Sequence, residues 1–105
     1  MSATFQKEVL QQLRDNGSDL AKPHDFEFYL YLPTRTLAAK ASDKIRESGF
    51  SAGEVSRSAP GDAWLCVAKK TLVPEKADLA DHARFVEQIA DALGGEFDGW
   101  EAEIV

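Results

Sequence analysis

The sequence predicts an α+β fold of the ferredoxin-like class, a βαββαβ two-layer sandwich preceded by one extra helix. Apolar and polar residues alternate over 24–33, which is typical of a half-buried strand, and two later segments carry apolar residues at helical spacing. Since strands and helices then follow one another as βαββαβ, we expect an antiparallel sheet of order 4-1-3-2 with both crossover helices on one face.

The length of 105 residues predicts a single domain. The sequence pattern divides this domain into three parts. An N-terminal helix at about 4–16 has Phe5, Val9 and Leu13 on one stripe. A linker follows at 17–23, and the core occupies 24–105.

The first strand, "HDFEFYLYLP", directs its phenylalanines and leucines to one side. Glu27, Tyr29 and Tyr31 lie on the other side, which the helices leave open. Thr34 is suited to cap the next helix, and Gly49 to end it.

The rest of the chain supplies two further strands, one helix and a final strand. We expect a weak strand at 50–57 and a stronger one at 63–70. Val73–Pro74 is predicted to open the third helix, since proline suits a first turn. Gly94 is predicted to end that helix, and the last strand to run over 96–104.

The closing stretch, "GGEFDGWEAEIV", contains three glycines that folding alone explains. Gly94 is suited to stop the helix, and Gly95 lets the chain reverse into the last strand. A bulge at Asp98–Gly99 would direct Trp100 inward as a core anchor, on one face with Ala102 and Ile104.

The formal charge of −6 is concentrated at this end of the chain, because residues 85–105 contain no lysine or arginine. Folding does not explain the closely spaced carboxylates Glu96, Asp98, Glu101 and Glu103. Their acidity argues against direct binding of nucleic acid and favours a basic protein segment, with plain solubility as the alternative. Tyr29 and Tyr31 on the open sheet face form a second candidate surface for a partner or for dimerisation.

No pattern predicts catalysis, a metal or a cofactor. His24 and His82 lack neighbours at metal-ligand spacing, and we expect a surface or locally hydrogen-bonded His24 and a boundary His82. Cys66 is expected to pack in the core. With one cysteine, no signal sequence and no apolar stretch long enough for a membrane span, a cytoplasmic location is expected.

The segment "GGEFDGW" resembles the C-terminal signature of the regulator of ribonuclease E activity B family. "DNGSDLAKPHDFEFYLYLP", "KIRESGFSAGEV" and "DAWLCVAKKTLVP" resemble other parts of the family in the same order. The resemblance implies a ferredoxin-like, non-catalytic bacterial protein that binds the endoribonuclease E machinery, the RNA degradosome, and restrains RNA decay. The other hypothesis is a small acidic binding or dimerisation module unrelated to RNA turnover.

Overall fold

The computed structural model describes residues 2–53, 55–58 and 61–105, which form three helices and an open antiparallel sheet. In chain order the elements are α1 (Ser2–Asp15), β1 (His24–Leu32), α2 (Arg35–Glu47), β2 (Ser51–Ala52), β3 (Ser56–Arg57), β4 (Trp64–Leu72), α3 (Leu79–Ala92) and β5 (Glu96–Ala102). Helices α2 and α3 pack on one face of the sheet, and α1 packs on α3.

Over the described residues the sheet has five strands rather than the predicted four. Its order is β2-β4-β1-β5, and β3 also pairs with β4, so the predicted order 4-1-3-2 does not describe it as it stands. The difference arises at 50–57, where two strands of two residues each replace one weak strand. Small and polar residues dominate this segment, and a glycine such as Gly53 weakens a strand interior.

The start of α3 and the end of the last strand differ from the prediction. Helix α3 begins at Leu79, five residues after Pro74, because the Asp78 carboxylate caps it by accepting the N–H of Asp81 at 3.0 Å. An aspartate cap satisfies an unpaired N–H group that a proline cannot. The last strand ends at Ala102, and the Ile104 side chain, predicted to face the core, is 54% exposed.

Strand β1 is the centre of the core, since it pairs with β4 on one side and β5 on the other. Its five inward side chains are each at most 1% exposed: His24, Phe26, Phe28, Leu30 and Leu32. The Phe28 ring centroid lies 6.2 Å from those of Phe26 and Phe50 and 6.5 Å from that of Phe97. This packing directs the odd-numbered residues of β1 to the open face.

The predicted bulge at Asp98–Gly99 is present. Leu30 pairs with Phe97 and Phe28 pairs with Trp100, so two residues of β5 lie opposite Tyr29 alone. Gly99 takes a φ of 105°, a left-handed conformation that favours glycine. The extra residue keeps Trp100 on the core side, where its ring lies 5.9 Å from that of Phe26, although the side chain is only half-buried.

The two glycines before β5 have different roles. Gly94 follows the C-cap of α3 with a φ of 75° and ends the helix as predicted. Gly95 lies against β1: a Cβ added there would collide with the Tyr31 carbonyl oxygen and lie 2.6 Å from Leu32 Cδ1. Close approach of two backbones, rather than chain reversal alone, therefore requires Gly95.

Candidate protein-binding surface

The open face of the sheet is the face turned away from α2 and α3. Cross-strand pairing places Glu27 between Lys69 and Glu101, and Tyr31 between Leu65 and Glu96. Tyr29 pairs with Val67 on its β4 side. The result is a half-buried strip of Tyr29, Tyr31, Leu65 and Val67, bordered by carboxylates along β5.

Tyr29 joins the two strands that carry the carboxylates. Its hydroxyl oxygen lies 2.9 Å from Glu27 Oε2 and 2.9 Å from Glu101 Oε2. A phenol has one proton, so it donates to one of these carboxylates at a time and leaves the other without that bond. The pKa of Tyr29 lies well above its usual range. Burial is the main cause, and the hydrogen bonds and charges of both glutamates raise the pKa further.

A second group of carboxylates continues the acidic surface at the other end of β1. Asp25 accepts a hydrogen bond from the Thr71 hydroxyl at 2.6 Å, and its own N–H donates to Glu103 Oε1 at 3.4 Å. Asp25, Glu27, Glu101 and Glu103 line a groove of about 480 Å³. Among the described residues, Lys69 is the cation nearest to the groove, with its ammonium 3.9 Å from Glu27 Oε1. The groove therefore presents a net negative charge to solvent.

The structure brings most of the sequence-predicted residues onto one surface. Tyr29 and Glu101 are in contact, Glu96 faces Tyr31 across the strands, and Glu103 borders the groove. Asp98 is exposed at the bulge, and its carboxylate makes no hydrogen bond or ion pair with these described residues. The acidic stretch and the open sheet face, separate candidates in the sequence, are thus parts of one surface.

Asp25 and Glu27 were absent from the predicted site. The alternation along β1 already placed Glu27 beside Tyr29, and that was the available signal. Asp25 and Glu27 lie close to Glu101 and Glu103 because β1 pairs with β5, although more than seventy residues of sequence separate the two pairs of carboxylates.

Of the two states expected for His24, the surface position is wrong, because the residue is fully buried, and the local hydrogen bonding is confirmed. Its Nδ1–H donates to the Lys22 carbonyl at 2.7 Å, so Nε2 accepts the Ser18 hydroxyl at 2.5 Å. Ser18 Oγ in turn accepts the N–H of Val105 at 2.9 Å. His24 therefore belongs to a hydrogen-bonded chain that fastens the linker to the segment after β5.

The other chemically interesting side chains have structural surroundings. His82 is half-buried, with its ring centroid 5.9 Å from that of Phe50. Cys66 is a buried free thiol, and burial raises its pKa, which favours the unreactive form. Within residues 2–53, 55–58 and 61–105, no three histidine, cysteine or acidic residues form a group suited to a metal ion.

The described helices also include none with both the length and the apolarity needed to cross a bilayer.

The fold and this surface define a small mixed α/β protein with an acidic sheet face. Residues 3–102 match the family model described as Regulator of ribonuclease activity B, and the chain belongs to that family. A protein of the same description from Pseudoalteromonas atlantica is 26% identical over 100 residues, covering 91% of this chain and 85% of the relative. The resemblance carried by "GGEFDGW" is confirmed at the level of the family.

The Tyr29 contacts predict an unusual titration. Tyrosine ordinarily ionises near pH ~10, and we expect the folded Tyr29 phenol to stay neutral well above that value. Because the unfolded chain ionises first, the stability linked to Tyr29 is present below pH ~10 and is lost as the pH rises further. Carbon-13 NMR of the tyrosine rings, assigned with Tyr29→Phe and the matched Tyr31→Phe, measures this. A Tyr29 signal that titrates at the ordinary pH contradicts the contacts with both glutamates.

Proposed function

We propose that this chain is a non-catalytic regulator that binds an endoribonuclease of the E type, or a basic segment of its associated machinery, and restrains its activity. The observation that carries the proposal is the family match over residues 3–102. The described open face supports a binding role, since its side chains form a continuous acidic and aromatic surface over three strands.

Charge on the open face favours a basic partner. Glu27 and Glu101 lie directly opposite each other on neighbouring strands, an arrangement that is unfavourable between like charges. An arginine or lysine from a partner would relieve that repulsion, and the half-buried tyrosines would contact its aliphatic stem. RNA phosphates would be repelled by the same carboxylates, so the proposed contact is with protein and not directly with nucleic acid.

The proposal includes a cytoplasmic location. RNA degradation by such a ribonuclease takes place there, and the free Cys66 is compatible with a reducing compartment.

The test is calorimetric titration against an arginine-rich fragment of endoribonuclease E at low and high salt. Binding through exposed charges is screened over ~8 Å at physiological salt, so the affinity should fall as salt rises. A variant carrying Glu96→Gln, Glu101→Gln and Glu103→Gln should bind about tenfold more weakly, since each exposed charge pair contributes up to ~1 kcal/mol.

A second triple variant, Glu8→Gln, Glu47→Gln and Glu75→Gln, is the matched control. It makes the same change in net charge at exposed positions on α1, α2 and the loop before α3. Equal losses in both variants would show that only net charge matters and would reject the open face. Absence of binding by the unaltered chain would reject this ribonuclease segment as the partner.

A small binding or dimerisation module is the second candidate function. The half-buried strip of Tyr29, Tyr31, Leu65 and Val67 favours it, because apolar side chains on an open face suit contact with another protein. A homodimer through this face would bring two acidic surfaces together, so we expect dimerisation to strengthen as salt rises. Sedimentation equilibrium at two salt concentrations distinguishes it from salt-weakened binding to a basic partner.

We also propose a ferredoxin-like description of the strand order. If β2 and β3 are two pieces of one interrupted strand, the sheet corresponds to a ferredoxin-like βαββαβ arrangement of order 4-1-3-2. Both pieces pair antiparallel with β4, which supports that description.

A further inference from the structure

A separate cavity lies on the helix-covered side of the sheet. It has a volume of about 270 Å³ and is lined by residues from the turn between α2 and β2, the end of β4 and the first turns of α3: Ser48, Phe50, Lys70, Asp81, His82 and Phe85. None of these residues belongs to the open face proposed to bind a ribonuclease. The cavity is smaller than typical pockets for drug-sized ligands, so it suits a molecule of about the size of one amino acid.

Lys70 is the least expected residue in this cavity, because it occupies a core-facing position of β4. Its neighbour Lys69 faces the opposite side, with its ammonium 3.9 Å from Glu27 Oε1. No carboxylate of the described residues lies within 4.0 Å of the Lys70 ammonium. That ammonium instead lies 4.8 Å from the Phe50 ring centroid, near Gly49 at the C-terminal end of α2.

These contacts compensate only part of the ammonium's requirements. A ring face and the negative end of a helix both attract the charge. Neither accounts for the three N–H donors, which meet no acceptor among the described residues and face water, since Lys70 is only half-buried. The cavity therefore contains a cation with donors available to a ligand.

The rest of the lining has three aromatic rings and two polar side chains, Ser48 and Asp81, which already have partners. His82 Nδ1–H donates to the Asp78 carbonyl at 2.7 Å, and the described contacts leave Nε2 without a partner. Phe85 stacks on Phe50 at 5.8 Å between ring centroids. Asp81 accepts Arg84 Nη1 at 2.8 Å, which offsets the one negative charge at the rim.

We propose that this cavity binds a small organic carboxylate with an aromatic body. Its carboxylate would accept hydrogen bonds from the Lys70 ammonium, as charge-assisted bonds are the strong ones. Its ring would lie against Phe85 and His82, where edge and offset contacts between aromatic rings are favourable. The proposed site is independent of the ribonuclease-binding role, because it lies on the other side of the sheet.

The test is an NMR titration of the nitrogen-15-labelled full chain with three compounds: benzoate, benzyl alcohol and acetate. Benzoate has both the ring and the charge, benzyl alcohol lacks the charge, and acetate lacks the ring. We expect saturable benzoate shifts concentrated at residues 48–50, 69–71 and 81–85. Affinity for benzoate should exceed that for either other compound by about tenfold or more, which corresponds to ~1.4 kcal/mol.

Two lysine variants separate the cavity from the general surface. Lys70→Met keeps an unbranched side chain over Phe50 but removes the ammonium, and should weaken benzoate binding about tenfold. Lys69→Met makes the same change on the open face and should leave binding within about twofold. Equal binding of benzoate and benzyl alcohol to the unaltered chain overturns the proposal without any variant. Benzoate shifts that fail to saturate would also overturn the proposal, and so would equal losses of benzoate affinity in both variants.

Discussion

Replacing Gly95 by alanine is expected to lower the free energy of unfolding by about 3 kcal/mol, the upper part of the range for overpacking. The added methyl group would meet the Tyr31 carbonyl oxygen and Leu32 Cδ1 of β1. A backbone atom in a central strand cannot move aside without disturbing its pairing. The strain should therefore separate β5 from β1 at the point where β5 begins. Urea unfolding followed by circular dichroism measures the loss.

Gly53→Ala is the matched control for this change. A Cβ at Gly53 would have no atom within 4 Å, so the variant should remain within about 0.5 kcal/mol of the parent. A similar loss in both variants would mean that glycine flexibility, and not the approach of Gly95 to β1, determines the effect.

Phe28→Ala is expected to lower the free energy of unfolding by about 3–5 kcal/mol. Phe28 is 1% exposed on the central strand, with three phenylalanine rings around it. Removing its ring leaves a cavity that rigid neighbours on β1, on β5 and in the turn before β2 fill poorly. A small domain has a total stability of about 5–15 kcal/mol, so the variant should be close to unfolding.

Trp100→Ala provides the comparison. Trp100 is also an inward-facing aromatic residue and pairs directly with Phe28, but it is half-buried on an edge strand. We expect a smaller loss, about 2 kcal/mol, because part of its surface stays in water in the folded protein. Thermal and urea unfolding of both variants gives the order. A larger loss for Trp100→Ala would make Trp100 the core anchor that the sequence predicts.

Local patterns predicted the elements whose signals lie within a few residues. The alternation of β1 and the Thr34 cap of α2 are in the structure, with Thr34 Oγ1 accepting the Leu37 N–H at 3.2 Å. The bulge was predictable because Asp98–Gly99 interrupts an otherwise regular alternation. The start of α3 was not, because Pro74 and Asp78 both carry helix-start signals and only the hydrogen bonds decide between them.

The candidate surface required information from distant parts of the chain. Nothing near Glu101 indicates that its carboxylate will meet Tyr29, since their contact depends on the pairing of β5 with β1. The same holds for Lys70, whose position against Phe50 depends on how the sheet and α2 meet. Which side chains carry charge was evident from composition. Which of them become neighbours was determined by register.

The bulge in β5 also affects which changes in chain length the strand can accommodate. Asp98 and Gly99 together occupy the place opposite Tyr29, so losing Gly99 would leave a regular strand with Trp100 still inward and Glu101 still outward. Losing one residue between Trp100 and Ala102 would instead move every following side chain to the opposite face. Insertions and deletions among homologous chains should therefore be accommodated at positions 98–99 and be rare in the three residues that follow.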